Sequence, residues 1–364
     1  MSSPALPSGL AQRLSRLGPL YWQARLGRWW GPPSREPADG YSLLVPVPGD
    51  LPVFLRLALA VCAHQDSRHR VETVVVPDRM IPDMRRLVDE ARLGWDGPLV
   101  LAPLPWPERQ VLPRLGNPGR NHAIQLVTGV QASRATHIVL HDADLFLLSS
   151  GVLDRQYELA RDRGLACLGI SPPWDNWYRG HGLALAATWE LCARVDWLRR
   201  FAPYMHMAHR ATMFGEEHMF DTTFRAQSLT DPELVGVEGT DDVVHFNYVI
   251  SNYRNFLRRG GSRWRDGIFR LTLISVFVEL FDRANRRAYQ LPTLQELAGC
   301  LGREDGAVTF PGREAAGQYA EFRRLLGRAL SGPWMGPGER ERLADALAPF
   351  DRFYGVAEVA VAGR

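Results

Sequence analysis

The chain has 364 residues, of which 46% are hydrophobic and 23% are charged, and its formal net charge is +3. This composition is that of a globular protein and excludes wholesale disorder, while the length predicts one large domain with appendages or two domains. A charge this close to balance does not favour a general nucleic-acid binder. All 43 residues counted as lysine or arginine are arginine, so a P-loop with its lysine is excluded.

Four cysteines, at positions 62, 167, 192 and 300, show no CxxC spacing and predict reduced core residues. No apolar run reaches the roughly 18–20 residues of a membrane span. Arginines interrupt the apolar residues 10–30, which argues against a signal peptide. That segment predicts a helix packed on the domain, with peripheral membrane contact as the alternative. We therefore expect a cytoplasmic protein, with peripheral membrane contact as the variant.

Apolar strands alternate with helices after a linker rich in glycine and proline at residues 31–40. The predicted strands are 41–47, 71–76, 98–102 and 136–140, and the helices between them are 53–64, 83–93 and 121–133. This alternation predicts an α/β fold with a doubly wound, mostly parallel sheet. Two more strands are expected at 165–170 and 182–188, followed by helices at 267–286, 293–301, 315–330 and 338–354.

Acidic residues follow three of the predicted strands. Asp50 and Asp78 come after the first two, and Asp142-Ala143-Asp144 comes directly after the fourth. Ligands of such sheets bind at the carboxyl ends of the strands. Two neighbouring carboxylates are tolerable if a divalent cation lies between them and a polyphosphate, an arrangement that Mg²⁺ and Mn²⁺ favour. The alternative is a set of solvated turns, in which aspartate is common.

Four further short motifs accompany the D-x-D, one before it and three after it. They are Gly119-Arg120-Asn121, Gly180-His181-Gly182, Gly215-Glu216-Glu217 and His245 in VVHFNY. With the D-x-D after the first of them, the segment from Tyr41 to Arg270 resembles the GT-A glycosyltransferases, most closely the family-two-like inverting enzymes. The resemblance implies a GT-A catalytic domain (41–265). Outside it, the residue patterns predict an N-terminal helical segment and linker (1–40) and a helical C-terminal region (266–364). The catalytic domain would divide into a nucleotide-sugar half (41–150) and an acceptor half (151–265).

The resemblance implies metal-dependent transfer of a sugar from a nucleoside diphosphate donor, of UDP type, to an acceptor nucleophile, with inversion. The acceptor would be a glycan, a natural product or a peptide. Asp142, Asp144 and His245 would hold Mn²⁺ or Mg²⁺. The donor-binding residues it implies are Asp78 or Asp50 for the nucleobase, with Arg120, Asn121, Asp142 and Gly180.

The catalytic base is expected in the acidic motif GEEHMFD. Glu217 matches the family's position, although aspartate is usual there, and Glu216 and Asp221 remain alternatives. If the segment is helical, Glu217 and Asp221 lie on one face at i and i+4, and the helix N-terminus would keep a carboxylate ionised. The alternative is capping of a helix by acidic residues.

Two other segments carry expectations. Residues 254–270 hold six arginines, one acid and the pair Gly260-Gly261, which predicts a lid over the donor diphosphate with Arg263 as its phosphate contact. The alternatives are a solvated turn or contact with anionic lipid. Arg263-Trp264 only partly matches the arginine-tryptophan motif of processive relatives, because glycine occupies the glutamine position. The aromatic residues of 173–178 suit a sugar face, or alternatively core packing.

Rival enzyme classes lack their signatures. A dinucleotide-binding dehydrogenase needs GxGxxG after a strand, and a sugar-phosphate nucleotidyltransferase needs a glycine-rich basic loop where this chain has VPVPGD. The remaining alternative is a non-catalytic protein that binds nucleotide sugars, or serves as a scaffold, on a degenerate GT-A fold.

Overall fold

The structure, a computed structural model, describes residues 20–26, 30–31, 36–115, 118–172, 176–239, 241–258, 268–305 and 308–356. Contacts within the chain group these residues into two units. The first holds the described residues of Met1–Asp50, Ser67–Asp142 and Leu153–Gly239, and the second those of Leu51–Asp66, Ala143–Val152 and Thr240–Arg364. The domain bounds expected from the sequence stay a prediction.

The first unit is built on a seven-stranded sheet. Its strands are β1 (Ala38–Val47), β2 (Arg70–Pro77), β3 (Leu99–Leu101), β4 (Ala135–His141), β6 (Cys167–Ile170), β7 (Ala187–Arg194) and β10 (Val235–Glu238). Their order across the sheet is β10-β6-β7-β4-β1-β2-β3. Only β7 runs antiparallel to its neighbours, β4 and β6. The predicted mostly parallel α/β sheet is confirmed. Runs such as Thr73–Val76 are fully buried, as expected when helices cover both faces of a sheet.

Helices and one hairpin complete the first unit. Residues 20–26 are helical (α1), and the other helices are α3 (Pro82–Arg92), α4 (Trp106–Leu115), α5 (Pro118–Ala132), α7 (Asn176–Gly180), α8 (Val195–Arg200), α9 (Phe224–Gln227) and, apart from its first residue, α6 (Val152–Asp162). The hairpin pairs β8 (His209–Met213) with β9 (Glu216–Phe220).

The second unit is mainly helical. It contains α2 (Pro52–Cys62), α10 (Val249–Arg258), α11 (Ile268–Phe281), α12 (Leu294–Ala298), α13 (Ala316–Leu330) and α14 (Pro337–Tyr354). A short antiparallel pair joins β5 (Leu145–Leu147) to β11 (Val243–His245). The helical C-terminal region is therefore confirmed. None of the described helices combines the length and apolar character needed to cross a membrane.

Two elements differ from the sequence predictions. The strand expected at 182–188 is β7, Ala187–Arg194, because residues 181–182 form a turn in which Gly182 has a φ of +71°. The possibility that Glu217 and Asp221 lie on one face of a helix is wrong, because residues 216–220 form strand β9. At about 3.3 Å per residue, the extended chain puts residues 217 and 221 roughly 13 Å apart instead of one helical turn.

Candidate active site

Strands β1 and β4 run side by side and parallel, with Leu43 opposite Val139 and Leu44 opposite Leu140. From β1 the chain builds outward through β2 and β3, then returns to place β4 on the other side of β1. The strand order therefore reverses between β1 and β4. Open α/β sheets bind their ligands beyond the carboxyl ends of the strands at such a point. Gly49, Asp50 and Asp142 follow these two strand ends.

Helix α5 contacts the carboxyl ends of three strands. Asn121 Nδ2 donates to Asp78 Oδ2 after β2 (2.9 Å), and His122 Nε2 lies 3.0 Å from Asp142 Oδ1 after β4. One turn further along, Gln125 Nε2 donates to the Val47 and Val76 carbonyls at 2.9 and 2.6 Å. Through these contacts α5 positions the ends of β1, β2 and β4.

Asp78 is buried inside this arrangement. Its Oδ1 accepts from the Gly49 N–H (2.8 Å) while its Oδ2 accepts from Asn121. A Cβ at position 49 would lie 1.7 Å from the Arg79 carbonyl oxygen, so the close approach of the two loops requires glycine. Asp78 thus holds the loop after β1, whereas the half-buried Asp50 pairs with Arg79 Nη1 at 2.9 Å. Of the two predicted nucleobase contacts, Asp50 is the more accessible.

Asp142 is contacted from both β7 and α5. Its backbone N–H donates to the Trp189 carbonyl of β7 (2.8 Å), and its carboxylate meets His122, with both side chains about one-fifth exposed. Sequence reasoning missed His122. Its place directly after Arg120-Asn121 was a signal, because that motif opens the helix leading to the D-x-D strand.

Asp144 and His245 form a pair in the second unit. Asp144 directly precedes β5, and His245 ends β11 opposite Leu145, so strand pairing brings them together. Asp144 Oδ1 lies 3.3 Å from His245 Nε2, and both side chains are about nine-tenths buried. Only Ala143 separates Asp142 from Asp144 in the chain.

This donor set fits a divalent cation. Two ligands with bonds of about 2.1 Å at right angles lie roughly 3.0 Å apart, close to the separation of 3.3 Å between Asp144 and His245. Carboxylate oxygens suit both Mg²⁺ and Mn²⁺, and an imidazole nitrogen favours Mn²⁺.

A second carboxylate–imidazole pair lies behind the strand end. His141 Nδ1 and Glu190 Oε2, on adjacent residues of β4 and β7, are 2.6 Å apart and fully buried. Burial raises the pKa of Glu190, partly offset by the neighbouring His141. The pair binds β7 to β4 one residue before Asp142.

The three candidate bases lie on or directly after strand β9 of the hairpin, and each has a different environment. Glu216 is exposed and its Oε2 accepts from Trp177 Nε1 (3.2 Å). Glu217 points to the opposite face of β9, where it is exposed and lies 3.4 Å from Arg210. Asp221 follows the strand, and its half-buried carboxylate accepts from the Thr222 N–H (2.7 Å).

The remaining predicted residues are placed as follows. Arg120 is half-buried in the first turn of α5. A Cβ at Gly180 would meet open space, so the steric need for glycine in this motif falls on Gly182, whose φ is positive. Arg263, Gly260-Gly261 and residues 173–175 lie outside the described residues.

No family model and no curated protein matches the chain. Among solved structures, S. aureus TarS aligns at 13% identity over 86% of this chain and 54% of TarS, with a TM-score of 0.38. The chain thus spans about half the length of that protein. A glucosyl-3-phosphoglycerate synthase from Mycobacterium tuberculosis, in complex with Mn²⁺ and UDP-glucose, aligns at 10% identity over 80% of this chain and 86% of the synthase, with a TM-score of 0.39.

A mannosyltransferase from Pyrobaculum calidifontis, in complex with GDP-Man and Mn²⁺, aligns at 16% identity over 96% of this chain and 99% of the transferase, with a TM-score of 0.38.

Proposed function

We propose that the protein is a metal-dependent glycosyltransferase that moves a sugar from a nucleoside diphosphate donor to an acceptor nucleophile. One observation carries the proposal. A D-x-D lies where the strand order reverses, between β4 and β1, and its second aspartate is paired with a nearly buried histidine. That position suits a nucleotide, and the carboxylate–imidazole donor set suits a cation bound to its phosphates.

The loops around this point would bind the donor. Asp50, with Arg79, would contact the nucleobase or ribose, while the buried Asp78 supports the loop that carries Asp50. Arg120 can present its guanidinium to phosphate or ribose oxygens. Uridine is the base to test first, because the family resemblance implies a UDP-type donor.

Asp142, Asp144 and His245 would hold the cation, which when bound offsets the charge that develops on the leaving diphosphate. His122 fixes the carboxylate of Asp142 from the side of α5. The buried pair of His141 and Glu190 anchors the end of the strand from which the D-x-D projects.

An inverting transfer needs one carboxylate to accept the proton of the acceptor as it attacks the anomeric carbon. Glu217 is our first choice by its place in the motif, with Glu216 and Asp221 as alternatives. Three variants test these positions, namely Glu217→Gln, Glu216→Gln and Asp221→Asn. Each removes the proton acceptor while keeping the shape of the side chain. The true base is the position whose replacement slows transfer by about 10²–10⁴-fold with donor binding nearly unchanged.

Calorimetric titration with UDP tests the proposal. With Mn²⁺ present we expect binding that weakens at least about tenfold in excess chelator, and Asp144→Asn should reproduce that loss without chelator. Asp305→Asn removes an aspartate that is 74% exposed in the same unit and should change nothing. A donor-hydrolysis screen across nucleotide sugars with Mn²⁺ then identifies the sugar. Equal affinity in chelator, with no donor consumed, would instead favour the non-catalytic alternative.

A further inference from the structure

The turn of the β8–β9 hairpin carries an aromatic residue in an unfavourable conformation. Met213 pairs with Glu216, so Phe214 and Gly215 form a two-residue loop, and their φ angles are +53° and +82°. Two positive φ angles define a type I′ turn, whose first position strongly prefers asparagine, aspartate or glycine. A bulky side chain there is a genuine outlier, and such strain often marks a function. The turn alone does not account for phenylalanine at this position.

The Phe214 ring is the outer end of a stack of rings. Its plane lies 6° from that of His181 at 4.7 Å between centroids, and it remains 54% exposed. Behind His181 is Trp177, at 4.4 Å and tilted by 42°, and Trp177 stacks on His218 at 3.8 Å and 7°. One face of Phe214 is thus covered by His181 while the side chain stays open to solvent.

The stack rests on a rigid base. Trp177 and His218 pack against Tyr178 and Phe220, which are buried, and His218 Nε2 lies 3.1 Å from the Tyr178 hydroxyl. His181 Nδ1 lies 2.8 Å from the Trp177 carbonyl oxygen. These contacts fix the ring planes, so a flat ligand would meet a preformed surface.

A carboxylate beside the stack limits the class of ligand. Glu216 accepts a hydrogen bond from Trp177, whereas Glu217 lies on the other face of β9. A carboxylate accepts hydrogen bonds from hydroxyl groups and repels anions. An aromatic ligand without hydroxyls would bury the Glu216 carboxylate uncompensated. A neutral sugar satisfies both features, because the weakly positive C–H groups of one ring face can meet the negative face of an aromatic ring.

We propose that Phe214, on its stack of His181, Trp177 and His218, is the platform on which a neutral carbohydrate acceptor binds. Its role as an acceptor site rests on the function proposed above, whereas the binding of carbohydrate does not. Because Glu216 lies on the aromatic face of β9 and Glu217 on the other, the platform also places Glu216 nearer the bound sugar.

Phe214→Asn is the decisive variant, because asparagine suits the type I′ turn. We expect its melting temperature to be unchanged or higher than that of the wild type, and its carbohydrate binding to weaken by about 3–10-fold. Met219→Thr is the matched control. Met219 is also 54% exposed on the hairpin, but its position in β9 alternates to the face opposite His218, so its replacement should leave binding unchanged.

Native electrophoresis in gels cast with a soluble β-glucan, a mannan or a galactan measures the binding without donor or metal. Equal retardation of the wild type and of Met219→Thr, with retardation of Phe214→Asn that corresponds to binding weaker by about 3–10-fold, supports the platform. No retardation of the wild type by any of the three, or equal retardation of Phe214→Asn, overturns it, as does binding of p-nitrophenol in preference to the sugars. If the wild type is retarded by a glycan but consumes no nucleotide sugar, the proposed function is contradicted and the carbohydrate platform is not.

Discussion

His122 is the residue through which helix α5 meets the D-x-D. Its Nε2 lies 3.0 Å from Asp142 Oδ1, in a setting where both side chains are mostly buried. A polar contact with a charged carboxylate contributes more than one between neutral groups. Fixing the rotamer of Asp142 before the ligand arrives reduces the entropy lost on binding. We therefore treat His122 as a positioning residue that acts through Asp142.

Replacing His122 tests that role. His122→Ala should weaken the binding of UDP with Mn²⁺ by about 5–30-fold, corresponding to about 1–2 kcal/mol. His122→Gln, whose side-chain amide can donate in place of Nε2, should recover most of the affinity, and both variants should melt close to the wild type. Titration calorimetry provides the comparison. Equal affinity in the alanine variant would mean that Asp142 needs no support from α5.

At the scale of elements, local patterns predicted the strands better than they predicted the acidic motif. The run 71–76 is apolar or β-branched and ends at a proline, and β2 spans Arg70–Pro77. In GEEHMFD the acids at 217 and 221 fit helical spacing, and Phe220 is the one fully buried residue of β9. A strand exposed on most positions lacks the alternation that reveals strands in sequence. A turn between two strands was the feature that could have revealed the hairpin. Gly215 fits such a turn, but the phenylalanine before it is not a residue that these turns favour.

Contacts between elements distant in sequence could not be predicted from local patterns. His122 and Asp142 are 20 positions apart, and Asp144 and His245 are about 100 apart, so no local periodicity links them. The family resemblance grouped Asp142, Asp144 and His245 as metal ligands, whereas His122 was missed. What the resemblance could not supply was the β5–β11 pairing that brings Asp144 against His245.

Tyr289 connects three elements of the second unit. Its hydroxyl accepts from the Val53 N–H at the start of α2 (2.9 Å) and donates to the buried carboxylate of Asp282 after α11. Arg56 of α2 lies 3.2 Å from the same carboxylate. Burial and the hydrogen bond to Asp282 raise the pKa of Tyr289, so the hydroxyl stays protonated and keeps donating. The network explains why α2 groups with the C-terminal helices.

Removing that hydroxyl should destabilise the second unit. Tyr289→Phe leaves the Val53 N–H without its acceptor and Asp282 short of one donor, both in buried positions, at a cost of about 2–3 kcal/mol. Tyr248→Phe is the control, because Tyr248 is 66% exposed, and it should change the free energy of unfolding by less than about 0.5 kcal/mol. Urea unfolding followed by circular dichroism measures both. Equal midpoints for the two variants would refute the importance of the network.

At the scale of the whole molecule, two buried histidines should make stability depend on pH. Burial, and secondarily the charge of Arg194, lowers the pKa of His137 to about 4. Burial lowers the pKa of His206 to about 4 as well, despite a contact of 2.8 Å with the Leu198 carbonyl. Both histidines are therefore neutral in the folded protein at pH 6, where an unfolded chain with a histidine pKa of about 6.5 already binds protons.

The sign of the effect follows from proton linkage. Below about pH 6.5 the unfolded state binds more protons than the folded state. The contribution of each histidine to the free energy of unfolding is therefore complete above that pH. It is lost as the pH falls towards 4, at up to about 1.4 kcal/mol per pH unit. Urea unfolding at pH 7, 6, 5 and 4.5 gives this slope. His137→Gln and His206→Gln should each flatten it, whatever they cost in stability at pH 7, whereas His64→Gln, at an exposed position, should not. Slopes unchanged in both buried variants would show that other groups, the carboxylates foremost, govern acid unfolding.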